Sequence, residues 1–136
     1  MIVEGRGIAL AVSLSGGGQH DSTLLIALLD AVPRVRGRGR GHPRGKPETV
    51  YADRVYGVSV CCRGLRWRGI RSKIAERGVV RGSGLGKVCC VVERTFAWLH
   101  GMRCLCTRYE RRAGIHQAFL NVGICIIALR HVVRLC

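Results

Sequence analysis

The feature that most constrains the fold of this chain is its longest apolar run, "FLNVGICIIALRHVV" (119–133). A run of this kind must either leave water inside a protein core or enter a membrane. It is shorter than the ~20 residues a membrane span needs, and Arg130 and His131 interrupt its end. The sequence therefore predicts a buried helix, spanning roughly Ile115 to Val133, and no membrane partner. A second helix is predicted from about Leu85 to Leu99. Val88, Val92, Thr95, Phe96 and Leu99 recur there at three- and four-residue steps and form the expected core stripe. Cys89, Glu93, Ala97 and His100 form another stripe of the same helix.

The rest of the chain divides at its glycines and prolines. "IVEGRGIALAVSLSG" reads as a β-hairpin, with two apolar runs flanking Gly5 to Gly7. "GGGQHDS" is a loop, from which Asp21 or Ser22 is expected to cap a helix, "STLLIALLDAV", that stops at Pro33. The same position makes capping a better reading of the His20–Asp21 pair than a catalytic couple. "TVYAD" (49–53) reads as a short buried strand that ends at Asp53. "VSVCCRGLRWRGI" (58–70) reads as a helix despite Gly64, and "RSKIAERG" begins as a strand. "GSGLGK" (82–87) invites a phosphate-loop reading and fails it: Arg81 stands where the first glycine is needed, and Val88 replaces the Ser or Thr. The order of strands and helices implies an α/β fold of one domain, a sheet with helices packed on it.

Charge bears on partners more than on fold. The 136 residues carry 23 Lys and Arg against 8 Asp and Glu, a formal net charge of +15. That balance attracts polyanions, nucleic acid first among them. Nearly all the cations are arginine, whose planar fork grips phosphate. A GC-rich coding sequence would also enrich arginine, and composition alone weighs the two equally. The segment 33–48, "PRVRGRGRGHPRGKPE", holds Arg34, Arg36, Arg38, Arg40, Arg44 and Lys46 and no acid before Glu48. It reads as a basic surface loop suited to a phosphate backbone, or as a solvated linker.

The eight cysteines suggest a framework only at first sight. "MIVEGRGIALAV" is not a secretory signal, so a reducing, cytoplasmic compartment is expected, with no disulfides. The pairs "CC", "CC" and "CLC" lack the C-x2-C spacing that places two sulfurs on one side of a zinc ion. Free, mostly buried thiols and no zinc are expected.

Two acids stand apart. Asp53 falls at a strand end, where side chains reach a site above a sheet, and Glu93 lies on a helix that could cross that edge. Such carboxylates supply the hard oxygen ligands that Mg2+ prefers, in chemistry that activates water or a 3′-hydroxyl against a phosphodiester. Taken by spacing alone, two acids are a weak signal, and a turn cap at Asp53 and half of a surface ion pair at Glu93 are the preferred readings.

"YADRVY", "GSGLGK", "VVERTFAWLHG" and "TRYERRAGIHQAF" resemble the C-terminal part of bacterial insertion-sequence transposases of the DDE type. "LAVSLSGGGQHDSTLL" and "LLDAVP" resemble the segment before them, so the likeness runs collinearly over essentially the whole chain. The resemblance implies a ribonuclease-H-like mixed sheet flanked by helices. It also implies an enzyme that cuts and joins DNA at the ends of a mobile element, through three acidic ligands to Mg2+, for which Mn2+ can substitute. The second acid maps to Asp53 and the third to Glu93. Arg94, Arg103, Arg108, Arg111 and Arg112 join the 34–46 cations as expected DNA contacts.

Departures from the family pattern matter as much. The family's first catalytic Asp lies on a strand upstream of the hairpin, and no segment here matches it; Glu4 and Asp21 occupy other positions. Val55 and Gly57 replace the Gly and Asp that usually flank the second Tyr of the "YADRVY" element, here Tyr56. Cys62, Cys89, Cys104 and Cys106 stand where basic residues are common. Cys89 takes the Arg place of the family signature Y-x2-R-x3-E-x6-K, with Gly86 and His100 in the Tyr and Lys places. The expected protein is a truncated transposase, inactive alone, that acts on DNA near the nucleoid, as an oligomer or beside a companion N-terminal reading frame. A non-enzymatic basic nucleic-acid-binding protein, or a gene remnant without function, are the alternatives.

Overall fold

The computed structural model describes residues 1–34, 43, 45–74 and 85–133, with only the backbone for 85–89. The chain divides into a terminal unit, Met1–Leu14 with Cys90–Cys136, and a middle unit, Ser15–Cys89. Among the described residues the strands form two separate two-stranded sheets, one in each unit, where the sequence suggested a single mixed sheet.

The terminal unit opens with the expected hairpin. Strand β1 (Ile2–Val3) pairs antiparallel with β2 (Ala9–Ala11). Glu4 closes the turn: its backbone N–H donates to Ile8 O, and its carboxylate Oε1 accepts from Arg6 N at 2.8 Å. Gly7 holds φ +98°, a left-handed conformation that disfavours any side chain. A Cβ there would also stand 3.1 Å from the Trp98 ring and 3.3 Å from Thr95 Oγ1. The hairpin turn therefore seats directly on helix α3 (Leu85–His100). The hydroxyl of Thr95, fully buried, lies 2.8 Å from Gly7 O and 3.0 Å from Val91 O and donates to this pair of carbonyls. Gly7→Ala should thus lower stability by about 1–3 kcal/mol, the usual cost of a strained backbone position. Chemical denaturation reads this directly, and an unchanged midpoint would refute the seating.

Helix α3 follows the expected span, but its core side is rotated from the expected one. Thr95 and Leu99 are buried, Val91, Val92 and Trp98 are half-buried, and Phe96 is exposed. Spacing set the stripe's period, and the hydrogen bond of Thr95 to the hairpin set its direction. Glu93, Ala97 and His100 lie on the exposed side. The short helix α4 (Arg103–Cys106) then leads to α5 (Ala113–Val133). Gly123 and Ile127 are the buried residues of α5. A Cβ on Gly123 would meet Leu105 at 2.9 Å, Leu99 at 3.1 Å and Met102 at 3.2 Å, so the missing side chain lets α5 approach α3 and α4 closely. The Trp98 and His131 rings meet edge to face at 5.4 Å.

The expectation of a buried final helix fails. Val122, Leu129, Val132 and Val133 are all more than half exposed, and only 11 % of its most apolar stretch is buried. The helix is also longer than the apolar run suggested, 21 residues, and by length and composition alone it could cross a membrane. An apolar helix can have two apolar faces, and only one of these meets the rest of the unit.

The middle unit is a compact βαβ element preceded by a short helix. A 3-10 turn (Asp21–Leu24) leads into α1 (Leu25–Asp30), which buries Leu25, Leu28 and Leu29. Neither Asp21 nor Ser22 caps it, against expectation. Thr23 closes the turn instead, its N–H and its hydroxyl both donating to His20 O, while Ser22 Oγ pairs with His20 Nδ1 at 3.2 Å. Strand β3 (Thr49–Ala52) pairs in parallel with β4 (Arg71–Ile74), crossing over through α2 (Ser59–Trp67). The strand is half-buried, where full burial was expected: Tyr51 is exposed, with the Lys73 ammonium of its register partner 5.3 Å from the ring. Helix α2 buries Cys61 and Leu65, one turn apart. Gly64 sits inside it because α1 presses there: a Cβ would stand 2.6 Å from Ile26 Cδ1. The Arg68 fork grips Asp30 with both carboxylate oxygens, at 3.0 and 2.6 Å. That guanidinium holds the Asp30 carboxyl below its ordinary range.

Candidate metal-ligating carboxylates and nucleic-acid interface

Asp53 directly follows β3, at the carboxyl end of a parallel strand pair. This is where open α/β sheets place their ligands, because the chain leaves the sheet there in a loop. The residue is exposed and starts a 3-10 turn (Arg54–Tyr56), with Oδ1 accepting from Arg54 N at 2.7 Å. It is therefore a turn cap, and its Oδ2 makes no hydrogen bond or ion pair among the described residues. Tyr56 lies within its field. Burial first, then the charges of Asp21, Cys61 and Asp53, raise the phenol above its ordinary pKa. Asp21 and Asp53 thus both act on one half-buried tyrosine, a coupling that sequence spacing does not disclose.

Glu93 lies exposed on α3 and makes no hydrogen bond or ion pair among the described residues. The surface ion pair that spacing allowed is not formed among the described residues. Its neighbour Arg94 turns to the hairpin instead, donating from Nη2 to Arg6 O at 3.2 Å and lying 5.3 Å from the Trp98 ring. Asp53 and Glu93 belong to different units. Among the described residues no group of three His, Cys, Asp or Glu side chains is gathered as a metal cluster. The side chain of Cys89 lies outside the described residues, as do Arg36, Arg38, Arg40 and Arg44.

The remaining expected DNA contacts are exposed: Arg34 and Lys46 in the middle unit, Arg103, Arg108, Arg111 and Arg112 in the terminal unit. Arg108 is already engaged, with Nε donating to Glu110 O at 2.9 Å and Nη2 to Arg111 O at 3.4 Å. It braces the turn before α5. The side chains of Arg103, Arg111 and Arg112 make no hydrogen bonds among the described residues, so their forks face water. Helix α2 adds a surface that the sequence reading passed over. Arg63, Arg66 and Trp67 are all exposed on it, Trp67 at 85 %. The sequence signal for this face is the pairing of an indole with arginines over 63–67.

Six described cysteines are free thiols. Only Cys61 is buried, where mostly buried thiols were expected, and Cys90, Cys104, Cys106 and Cys125 are exposed. Burial, then Cys62, raises the pKa of Cys61, whose Sγ donates to Ser22 O at 3.2 Å.

With a βαβ element carrying an acid at its strand end and a helix carrying a second, the family comparison is direct. Residues 1–129 match the transposase DDE domain, and the chain belongs to that family. Over 127 residues it is 50 % identical to the protein assigned as the transposase of insertion sequence element IS402 from Burkholderia cepacia. The match covers 93 % of this chain and 60 % of that relative, so the chain spans about three fifths of the relative's length. No solved structure matches the chain significantly.

Proposed function

We propose that residues 1–136 are part of a transposase catalytic domain of ribonuclease-H-like architecture, a mixed sheet flanked by helices, whose substrate is DNA. The observation that carries this reading is Asp53. The "YAD" element of the family resemblance ends on an exposed carboxylate at the carboxyl end of a parallel strand pair, within the residues that match the family. Glu93 supplies the second carboxylate, exposed and without a partner among the described residues.

These donors suit Mg2+ in kind, and Mn2+ equally. Mg2+ takes carboxylate oxygens, commonly one or two, and completes its shell with water and phosphate. Asp53 and Glu93 would hold it; when bound, it polarises the phosphodiester and lowers the pKa of water. The residues of this chain do the rest. Arg103, Arg111 and Arg112 in the terminal unit, and Arg34 and Lys46 in the middle unit, bind the phosphate backbone, and Arg94 fixes the hairpin against α3 beside Glu93.

The set of acids remains incomplete, because the family's first Asp has no counterpart in these residues. The 136-residue chain is therefore inactive by itself, and its activity depends on an upstream segment, from a companion reading frame or a longer form. The protein works in the bacterial cytoplasm, at the nucleoid. The test joins the unmatched part of the Burkholderia relative to this chain, with Cys89→Arg, and assays Mg2+-dependent cleavage of a duplex bearing the element's ends. Cleavage by the joined protein, and none by the chain alone, supports the reading; activity in neither removes it. A second reading, a basic nucleic-acid-binding protein without catalysis, is favoured by the unengaged forks of Arg103, Arg111 and Arg112, and predicts binding in both arms and cleavage in neither.

A further inference from the structure

Helix α2 buries Cys61 and Leu65 on one side and shows arginine and tryptophan on the other. Arg63 precedes Arg66 by three residues and Trp67 by four, so the three exposed side chains share one face of the helix. A single exposed apolar residue is ordinary on a protein surface. This one is held in place. The helix stops at Gly69, at φ +69°, with Gly69 N–H donating to Arg66 O at 2.9 Å and Ile70 N–H to Leu65 O at 3.0 Å. That pair of bonds fixes the last helical turn, and buried Ile70 and Leu65 anchor it to the core. Trp67 stands in this turn. The Arg68 guanidinium, 5.7 Å from the indole centroid, is itself clamped by both carboxylate oxygens of Asp30. The ring thus lies beside an immobilised cation, while Trp67 remains 85 % exposed.

The free charges around the ring have one sign. The side chains of Arg63 and Arg66 make no hydrogen bond or ion pair among the described residues. The carboxylate near this end of the helix, Asp30, is engaged by Arg68, and the charge of Lys46 acts on it as well.

We propose that the face of α2 formed by Arg63, Arg66 and Trp67 binds unpaired DNA, with a base stacked on the indole and the neighbouring phosphates on the two arginines. The proposal rests on the reading that DNA is the substrate and is independent of the carboxylates. Every base has a π face, and an indole standing out from a helix reaches it where the strand is unpaired; in a duplex the bases would first have to be unstacked. The phosphates between the bases suit the arginine forks. Duplex phosphates alone would use the arginines and leave the indole without a role. A polypeptide segment laid on this face would have to bring carboxylates for two arginines or take them out of water unpaired, which is costly. Position within the middle unit adds to this. Helix α2 begins beside the turn that Asp53 starts and carries Trp67 roughly 12 Å along its axis. The face therefore takes a neighbouring stretch of strand rather than the phosphodiester at Asp53.

The experiment uses the full chain, a mixed-sequence DNA single strand and the blunt duplex of the same length. Trp67 fluorescence, taken as the difference between wild type and Trp67→Phe, should be quenched by the single strand and hardly by the duplex. Trp67→Ala and Trp67→Leu should each weaken single-strand binding roughly 5- to 150-fold, the effect of losing one base–aromatic stack, and leave duplex binding nearly unchanged. Trp67→Phe keeps a π face and should retain most of the affinity. Exposure of the residue leaves folding unaffected in all three, which circular dichroism checks. Arg63→Ala with Arg66→Ala should lower the single-strand salt slope by about 1.4, at ~0.7 per phosphate.

Single-strand affinity indifferent to Trp67→Ala overturns the proposal, and so does equal weakening on single strand and duplex. Affinity retained in Trp67→Leu overturns the stacking. An RNA strand of the same sequence bound much more tightly than the DNA overturns the choice of ligand. Binding to neither DNA removes the DNA reading along with the proposal, whereas DNA binding that ignores Trp67 removes the proposal alone. In the chain joined to the unmatched part of the Burkholderia relative, Trp67 should stay open to acrylamide quenching. A shielded Trp67 there would give the face to that segment and overturn the proposal.

Discussion

Joined to an upstream segment that carries the missing Asp, and with Cys89→Arg, the chain should cleave duplex ends in Mg2+, and Asp53→Ala or Glu93→Ala should each lower that rate by about three orders of magnitude or more. The size follows from how such acids act. In the proposed reading they would hold ions that stabilise both the attacking and the leaving oxygen and would work as a unit, so loss of one member would remove most of what the set provides. The two substitutions should leave folding nearly untouched, for different reasons. Glu93 is exposed and has no partner among the described residues, so its removal costs no contact. Asp53 caps a single short turn through Arg54 N, and losing a cap costs roughly 1 kcal/mol. Asp53→Asn separates the roles, since the amide oxygen still accepts from Arg54 N while the negative charge is gone. It should retain the stability lost in Asp53→Ala and remain as inactive. Cys89→Arg alone should restore nothing, because a guanidinium binds phosphate and ligates no cation. Metal-dependent cleavage by the unmodified chain that vanishes in Asp53→Ala or Glu93→Ala would confirm the site and overturn the need for an upstream acid. Cleavage indifferent to both would remove the site assignment as well.

The sequence disclosed periods well and directions poorly. Helices α3 and α5, the hairpin and the β3–α2–β4 order follow from apolar spacing and from glycine and proline punctuation, since local sterics and turn chemistry act within a few residues. What spacing does not contain is the partner of each face. Phe96 shares the period of Leu99 and still faces water, because Thr95 is drawn inward by a carbonyl 88 positions away, at Gly7. The outer face of α5 is as apolar as a core and has nothing to pack on within its unit. No side chain caps the helix at Asp21 or Ser22; Thr23 closes the turn by donating to His20 O, and either solution fits the same sequence. At the candidate site, Asp53 was legible because a strand end is a local event. The fate of Arg94 was not, because its engagement with Arg6 O and Trp98 depends on where the hairpin lands.

Affinity for duplex DNA should fall steeply with salt and hardly vary with sequence. A chain that neutralises phosphates releases condensed counterions, and log K then declines with log salt at about 0.9 per phosphate contact. With roughly six contacts, affinity drops about 10^3-fold between ~50 and ~200 mM salt. The formal charge of +15 makes that number of contacts reasonable, but charge alone does not say which side chains deliver it. The fold does. Arg94 and Arg108 are tied to backbone carbonyls of their own unit, and using either on DNA costs those bonds. Arg103, Arg111 and Arg112 give up no hydrogen bond among the described residues. Replacing these three with alanine should therefore flatten the salt slope by about three contacts and weaken binding uniformly on unrelated duplexes. Replacing Arg94 should change the slope little and the stability of the terminal unit more, since it loosens the hairpin from α3. Titrations of wild type and both variants on two unrelated duplexes, at several salt concentrations, separate the roles. A salt-independent affinity, a strong preference for one duplex, or an unchanged slope in the triple variant would each show that these arginines are not the phosphate contacts.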